Sequence, residues 1–420
     1  MPAFNPSLII WIVAALATCG VIFRPFRLPE YVWALAGALL LTGLGLIPWR
    51  LALHAVGEGS DVYLFLIGMM VIAELARQEG LFDWLAMYAA QHAKGSGQRL
   101  FDLVFLVGTL VTIFLSNDAT AVVLTPAVYA AAKAAKAEPL PYLFVCAFIA
   151  NAASFVLPIS NPANLVVFGS HMPPLLTWLW QFSLPSVAAI VLTYGVLRFT
   201  QRTQLRKPLA TTIKLQPLSS GARLTAWGIM LTAVLLLLAS AFDLQLGLPT
   251  FLAGTLTAIL VHLRQRLNPL PVLKGVSWGV LPLVAGLFVL VEGLAHTGII
   301  DVLAHSLESL ARSSSTQATW GAGIVVAIAS NLINNLPAGL IAGSVGHIAH
   351  LPPQTTSALL IGVDLGPNLS ITGSLATLLW LVAVRREGQH VSALRFLRLG
   401  IVVMPPALIG ALAALWLTAH

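Results

Sequence analysis

The chain has 420 residues, of which 58% are Ala, Val, Ile, Leu, Met, Phe, Trp, Tyr or Cys, with only 22 Lys/Arg and 15 Asp/Glu, far below the roughly one-quarter charged content of soluble domains. These proportions exclude a soluble globular enzyme and predict an all-α polytopic membrane protein. The net charge of +7 resides in Lys and Arg standing singly between apolar segments, which argues against a nucleic-acid partner, and Cys19 and Cys146 are too few for a disulfide framework or a thiolate cluster.

In chain order, residues 8–23 have no Lys or Arg before them and no small-residue cleavage site before Arg24, so they read as a retained transmembrane helix rather than a signal peptide. A crossing needs about 20 apolar residues, and segments 7–23, 30–49 and 62–77 supply them. Residues 80–93 form a short amphipathic stretch suited to the membrane interface. Residues 100–133 hold two apolar arms of about 15 residues around Ser116-Asn117-Asp118, each too short to cross, which predicts a re-entrant hairpin. Residues 141–168 are long enough to cross but are interrupted from Ser154 to Asn164, the pattern of a broken helix, and 177–198 crosses again. The stretch 201–222 is the only sizeable linker, and divides a first half, 1–200, from a second, 223–420.

The second half repeats the plan. Crossings at 224–242, 247–263 and 276–295 precede an amphipathic stretch at 298–312, a hairpin at 318–349 around Asn334-Asn335-Leu336-Pro337, a helix at 355–384 broken from Asp364 to Ser374, and a last crossing at 395–418. Pro158, Pro162, Pro337 and Pro367 are breakers that free backbone carbonyls. Placing Arg198, Arg202, Arg206, Lys207, Lys214 and Arg223 in the cytoplasm puts all of the 22 basic residues except Arg50 and Arg312 on that side. The threading gives ten crossings plus two hairpins with both termini periplasmic. Twelve full crossings would keep every loop on the same side; the short arms favour hairpins.

A shift of 218 positions superposes Gly68 on Gly286, Glu74 on Glu292, Gly80 on Gly298, Asp83 on Asp301 and Asn117 on Asn335. Matches of Gly, Leu and Ala arise easily among apolar residues; the Glu and Asn pairs do not. Under the charge-derived threading, the copies 62–170 and 276–384 are inverted, which points to a secondary transporter with its site at midmembrane where the repeats meet.

Interrupted helices at that depth must be buried in protein or line a wet cavity. The candidate substrate-binding residues are Ser116, Asn117, Thr120, Asn151, Ser160, Asn161 and Asn164, and Asn334, Asn335, Asn368, Thr372, Gly373 and Ser374. Asn, Ser and Thr both donate and accept hydrogen bonds, and no Lys or Arg stands in any break, so a neutral hydroxylated solute or a bare cation suits this lining. Any one of these residues could equally cap a helix end. Asp118 is the sharpest candidate for proton coupling, since carboxylates near the bilayer centre commonly serve as proton or ion relays; Asp364, Glu74 and Glu292 are weaker ones. His347 and His350 lack a third ligand, and the sequence has no HExxH, GxSxG or phosphate-loop signature, so neither a metal, a cofactor nor an enzymatic activity is expected.

The strings FLSNDATAVVLTPAV around Asn117, ANAASFVLPISNPANLVVF around Asn161, NNLPAGL from Asn334 and GVDLGPNLSITGSLATLLW around Thr372 closely resemble those of the arsenite/antimonite efflux permeases, the ArsB family of the ion transporter superfamily. The resemblance runs through nearly the whole chain. It implies export of trivalent arsenic and antimony hydroxides across the inner membrane, either alone in exchange for protons or with a cytoplasmic ATPase partner of the ArsA type. Dicarboxylate carriers of the superfamily place Ser-Asn-Thr at comparable breaks; Ser116-Asn117-Asp118 and Ser160-Asn161-Pro162 lack that Thr, which weakens a carboxylate substrate. Trivalent arsenic is thiophilic, yet two cysteines cannot build a three-thiolate site, so recognition must use the hydroxyls. The alternatives are a sodium/proton antiporter with Asp118 and Asp364 on the cation, and a passive channel for neutral hydroxides.

Overall fold

The computed structural model describes residues 5–169, 172–210, 216–266 and 268–418; Lys214 of the linker lies outside them. Among the described residues every regular element is helical. The first half comprises α1 (Pro6–Phe23), α2 (Glu30–Gly43), α3 (Trp49–Glu58), α4 (Ser60–Gln78), α5 (Leu81–His92), α6 (Gly97–Phe114), α7 (Thr125–Ala134), α8 (Leu140–Ala152), α9 (Pro162–Phe168) and α10 (Leu175–Leu205). The second comprises α11 (Ser220–Ala241), α12 (Gly247–Gln265), α13 (Leu270–Gly275), α14 (Val280–His296), α15 (Ile299–Ser313), α16 (Ser315–Ile333), α17 (Asn335–Ile348), α18 (Pro353–Leu365), α19 (Leu375–Arg386) and α20 (Ala393–Thr418).

Among the described residues eight helical stretches, α13 and α14 together counting as one, are long and apolar enough to cross a membrane, or nine if α3 and α4, bent by 47° at their junction, count as one span. Two details differ from the sequence expectation. Helix α2 has 14 residues, less than the segment 30–49 suggested, and the first arms of both hairpins, α6 and α16, have 18 and 19 residues. At 1.5 Å per residue these arms reach roughly 27–29 Å, nearly the full hydrocarbon thickness. Arm length therefore does not mark the hairpins; the path of the chain after the tips does.

Both hairpins return to the end from which they entered. Leu209 N–H donates to Gly95 O before α6, and Ala210 N–H to Ala135 O after α7, each at 2.9 Å, so neighbouring residues hold both feet of the first hairpin. Near the start of α16, Thr319 shares a 3.1 Å hydrogen bond with Thr355 near the start of α18, and near its end Asn331 donates to Gly366 O at 2.9 Å. Helices α16 and α18 thus run parallel, and α17 between them must run back. The hairpins start alike as well: Ser96 caps α6 by accepting from Arg99 N–H, and Ser314 caps α16 by accepting from Gln317 N–H, both at 3.3 Å. Ser96 and Ser314 are a further identity at the 218-residue offset.

Packing divides the helices differently from chain order. Helix α4 lies along α12 and α11, while α14 lies along α2 and α1, so each half supplies the neighbours of the other half's helix. Small residues permit these approaches: a Cβ on Gly68 would sit 2.3 Å from Thr250 O, and one on Gly286 would sit 2.7 Å from the Ala34 carbonyl carbon. The second group joins α6–α9 and α16–α19 with α10 and α20, which pack on each other and on α8 and α18. Helices α10 and α20 thus pack with the broken helices.

Two arms connect the groups. Gly80 and Gly298, at φ 73° and 79°, turn the chain sharply from α4 into α5 and from α14 into α15 in a conformation that suits glycine. Helix α5 then packs on α6 and α7, and α15 on α16 and α17. Helix α15 buries little more than Ile300 and Ala304 while exposing Val302 and Leu303, as an interfacial helix does.

Candidate functional site

The two broken helices meet end to end, and their polar residues bond across the halves. Asn151, in the last turn of α8, donates to Asn368 Oδ1 at 3.0 Å, and Asn368 donates back to Phe148 O at 3.0 Å. Ser374 Oγ donates to Asn151 Oδ1 at 3.2 Å, and Asn161 donates to Asp364 Oδ1 at 2.7 Å. The last two bonds are counterparts: Asn151 and Asp364, like Asn161 and Ser374, are 213 residues apart, and each joins the end of one half's helix to the N-cap of the other half's helix. Trp380 Nε1 donates to Leu143 O at 2.8 Å, so α19 runs back along α8 and the C-termini of α8 and α18 face one another.

Beside this junction lies a cavity of about 20 Å³, room for roughly one water molecule. Asn117 and Asp118 of the first hairpin tip, Asn161 and Pro162 of the first break, Asn335 and Leu336 of the second tip, and Leu375 and Ala376 of α19 form one side. Leu66 of α4 and Val280 and Val284 of α14 form the other. The polar groups thus all come from hairpins and broken helices, and the wall opposite is apolar. Asn117 Oδ1 accepts from Asp118 N–H at 2.9 Å, and Asn161 Oδ1 from Ala163 N–H at 3.0 Å. Asn335 N–H donates to Gly373 O at 2.8 Å, whereas its buried side-chain oxygen finds no hydrogen-bond partner. Asp118 is half-buried and enters no ion pair among the described residues.

Of the residues singled out in the sequence, Asn117, Asp118, Asn161 and Asn335 therefore share one cavity. The other amide, hydroxyl and glycine positions surround it without lining it. Ser116 accepts from Ala119 N–H at 3.1 Å and Asn334 from Leu336 N–H at 3.3 Å, capping the two return arms. Asn334 does so at φ 75°, ψ 153°, a strained region for a residue with a side chain. Thr120 shares a 2.8 Å bond with Thr112 inside a π-helical turn, Ala119–Leu124. Ser160 donates to Ile113 O at 3.0 Å, and Asn164 donates to Ser154 O, Leu157 O and Pro158 O at 2.9–3.2 Å. Thr372 donates to Asn331 O at 3.0 Å, Ser374 caps α19 through Thr377 N–H, and at Gly373 a Cβ would meet Pro367 Cα at 2.5 Å.

Two carboxylates stand elsewhere. Glu74, near the end of α4, pairs with Arg77 Nε at 2.7 Å and Gln78 Nε2 at 2.8 Å, and is off the cavity. Glu292, half-buried in the last turns of α14, is off it too. Among the described residues no three His, Cys, Asp or Glu side chains converge on a metal-binding arrangement; His347 and His350 border a separate cleft between α9, α10 and α17.

Sequence reasoning missed Asn331, which donates to Ala327 O and Gly366 O and accepts from Ser370 N and Oγ at 3.0 and 2.7 Å, fastening the second break to α16. Its signal was one helical turn before Asn335, the third amide of the run SNLINN. Thr377, bonded to Asn151 and Ser374, was also missed. Leu66, Val280 and Val284 carry no sequence signal, because apolar residues fill every span.

Residues 8–365 match the citrate transporter family, CitMHS. The arsenical pump membrane protein of Escherichia coli is 29% identical over 433 residues, covering 94% of this chain and 95% of the relative. That of Yersinia enterocolitica is 30% identical over 372 residues, covering 83% and 84%. The chain belongs to the citrate transporter family, among its ArsB-like permeases. It is accordingly a multi-pass transporter of the cytoplasmic membrane. Among solved structures, the Alcanivorax borkumensis YdaH transporter shares the fold at a TM-score of 0.60 and 15% identity, each chain covered to 98%. Neisseria gonorrhoeae MtrF shares it at 0.56 and 13%, with 99% of this chain and 95% of that one covered. In this ArsB-like permease, residues from each of the four strings, those around Asn117, Asn161, Asn335 and Thr372, line one small cavity between two helical groups.

Proposed function

We propose that the protein exports trivalent arsenic and antimony hydroxides, arsenous acid first among them, in exchange for protons. The single observation that carries this reading is the chemistry of the cavity: three carboxamides and one carboxylate, with no Lys or Arg among its lining residues. A citrate-like polyanion would call for cationic clamps and would meet Asp118 as a like charge. Arsenous acid is neutral at physiological pH and offers O–H groups that amide oxygens accept and oxygen atoms that amide N–H groups donate to. The names of the arsenical-pump relatives support the same substrate.

The proposed cycle is alternating access. The two hairpins and two broken helices, with α10 and α20, move as one body past the wall of Leu66, Val280 and Val284. The inverted relation of the two halves makes the inward and outward positions near-equivalent in energy. Asp118 takes a proton from the periplasmic side, resets the body inward, and gives it up to the cytoplasm as substrate binds. This antiport cycle runs without an ATPase partner of the ArsA type.

Counterflow in proteoliposomes tests the reading. Preloaded arsenite should drive uptake of labelled arsenite without ATP, and an imposed pH difference should drive accumulation with no sodium present. Strict sodium dependence would replace it with the sodium-coupled alternative, and equilibration without accumulation would indicate a passive channel.

A further inference from the structure

A groove of about 630 Å³ lies on the outer face of α4, α12 and α13. Its floor is Ile67 and Val71 of α4, and its sides run along α12 from Phe251 to Leu263 and along α13 at Val272 and Leu273. Twelve residues of helix span roughly 18 Å, against about 15 Å for the hydrocarbon of one leaflet. Leu263, Ile259 and Leu273 remain exposed along its rim, so the groove opens sideways to lipid.

One end of the groove is cationic. Arg266, at φ 55° just past the end of α12, lines it, and exposed Arg264 and Lys274 stand close in the chain to lining residues. No Asp or Glu occurs in residues 247–291. On α4 and at its end, Glu74 pairs with Arg77, and Glu79 accepts from Gln265 at 3.1 Å, leaving one carboxylate charge against the three cations Arg264, Arg266 and Lys274. Arg266 has no ion-pair partner among the described residues. Trp278 closes the same end, its indole N–H donating to Leu273 O at 2.7 Å, as aromatic residues do at headgroup depth. The Gln265–Glu79 bond sets this end beside the C-terminus of α4, on the side that the basic bias assigns to the cytoplasm.

We propose that this groove is a binding site for one anionic glycerophospholipid of the cytoplasmic leaflet, with an acyl chain along α12 and the headgroup phosphate on Arg266 and Lys274. The charge decides between lipids: an apolar groove alone would accept any chain, whereas a basic mouth selects anionic headgroups. The lipid would brace the scaffold wall from behind, because Ile67 in the groove is the chain neighbour of Leu66 in the cavity.

Native mass spectrometry and thermal unfolding of the full-length protein in detergent test this, with phosphatidylglycerol and phosphatidylethanolamine of matched chains as probes. Phosphatidylglycerol should be retained as a single adduct and raise the midpoint of unfolding, while phosphatidylethanolamine does neither. Arg266→Gln and Lys274→Gln, both at exposed positions, should each weaken retention by about fivefold. Ala258→Phe, which fills the groove, should abolish retention. Equal retention of both lipids, or retention unchanged in all three variants, would overturn the proposal. So would a dimer that Ala258→Phe splits while lipid retention stays intact, since the groove would then receive a second copy of the chain.

Discussion

Asn164 and Asn335 are the same side chain in opposite roles, and their partners make the difference. Both side-chain oxygens are buried without a partner, but Asn164 donates through its amide nitrogen to three carbonyls freed by the first break, whereas Asn335 lines the cavity. Removing a buried group's partner costs about 1–3 kcal/mol per orphan, so Asn164→Ala should lower the unfolding midpoint by several degrees. Asn335→Ala should leave the midpoint within about a degree and weaken arsenite transport at least tenfold. Differential scanning fluorimetry and vesicle transport on the same preparations check both. At Asp364 the bond from Asn161 needs only an acceptor, so Asp364→Asn should be nearly as stable as the wild type and Asp364→Leu about 1–3 kcal/mol less stable. Retention of proton-driven export by Asp118→Asn would move the coupling role off Asp118. The amides were legible in the sequence; their division into cavity-lining and bracing side chains was not, because an amide that caps a broken helix and one that faces a cavity are the same group.

Hairpins and broken helices were legible as elements because polar tips and Pro-bearing centres interrupt apolar runs. Their dimensions were less so. The arms of α6 and α16 are long enough to pass for crossings, and only tertiary bonds such as Thr319 to Thr355 reveal that the chain turns back. The offset also changes, from 218 residues at the tips to 213 at the breaks, so a single shift of the sequence could not superpose Asn161 on Ser374. Orientation is open to a direct check. In a background without Cys19 and Cys146, Lys136→Cys should react with an impermeant maleimide from the cytoplasmic face and Arg312→Cys from the periplasmic face. Reaction of both from one face would remove the inversion of the hairpins. At Gly298, a Cβ at φ 79° adds strain of about 1 kcal/mol, so Gly298→Ala should slow transport through the α14–α15 arm more than it lowers the unfolding midpoint.

Across the whole molecule, the boundary that matters runs between two groups of helices rather than between two halves of the chain. Nothing in the hydropathy profile says that α4 packs on α12. The approach depends on Gly68 and Gly254, where a Cβ on Gly254 would sit 2.4 Å from Gly68 O, residues far apart in sequence and unremarkable singly. The cavity lies on that boundary, with Leu336 on the hairpin side and Val284 on the scaffold side. Joining Val284→Cys to Leu336→Cys with a short bismaleimide should therefore abolish transport while either single variant retains it, and full activity after complete cross-linking would mean that the groups do not slide past each other.

The claim on which the rest depends is that the amides of the two hairpin tips together hold the transported hydroxide. Arsenite accumulation in everted vesicles with an acidic interior, free of any ATPase, measures it directly. The wild type should accumulate arsenite, and the double variant Asn117→Ala/Asn335→Ala, inserted at the same level and equally stable, should not. A double variant that accumulates arsenite at the wild-type rate would contradict the account.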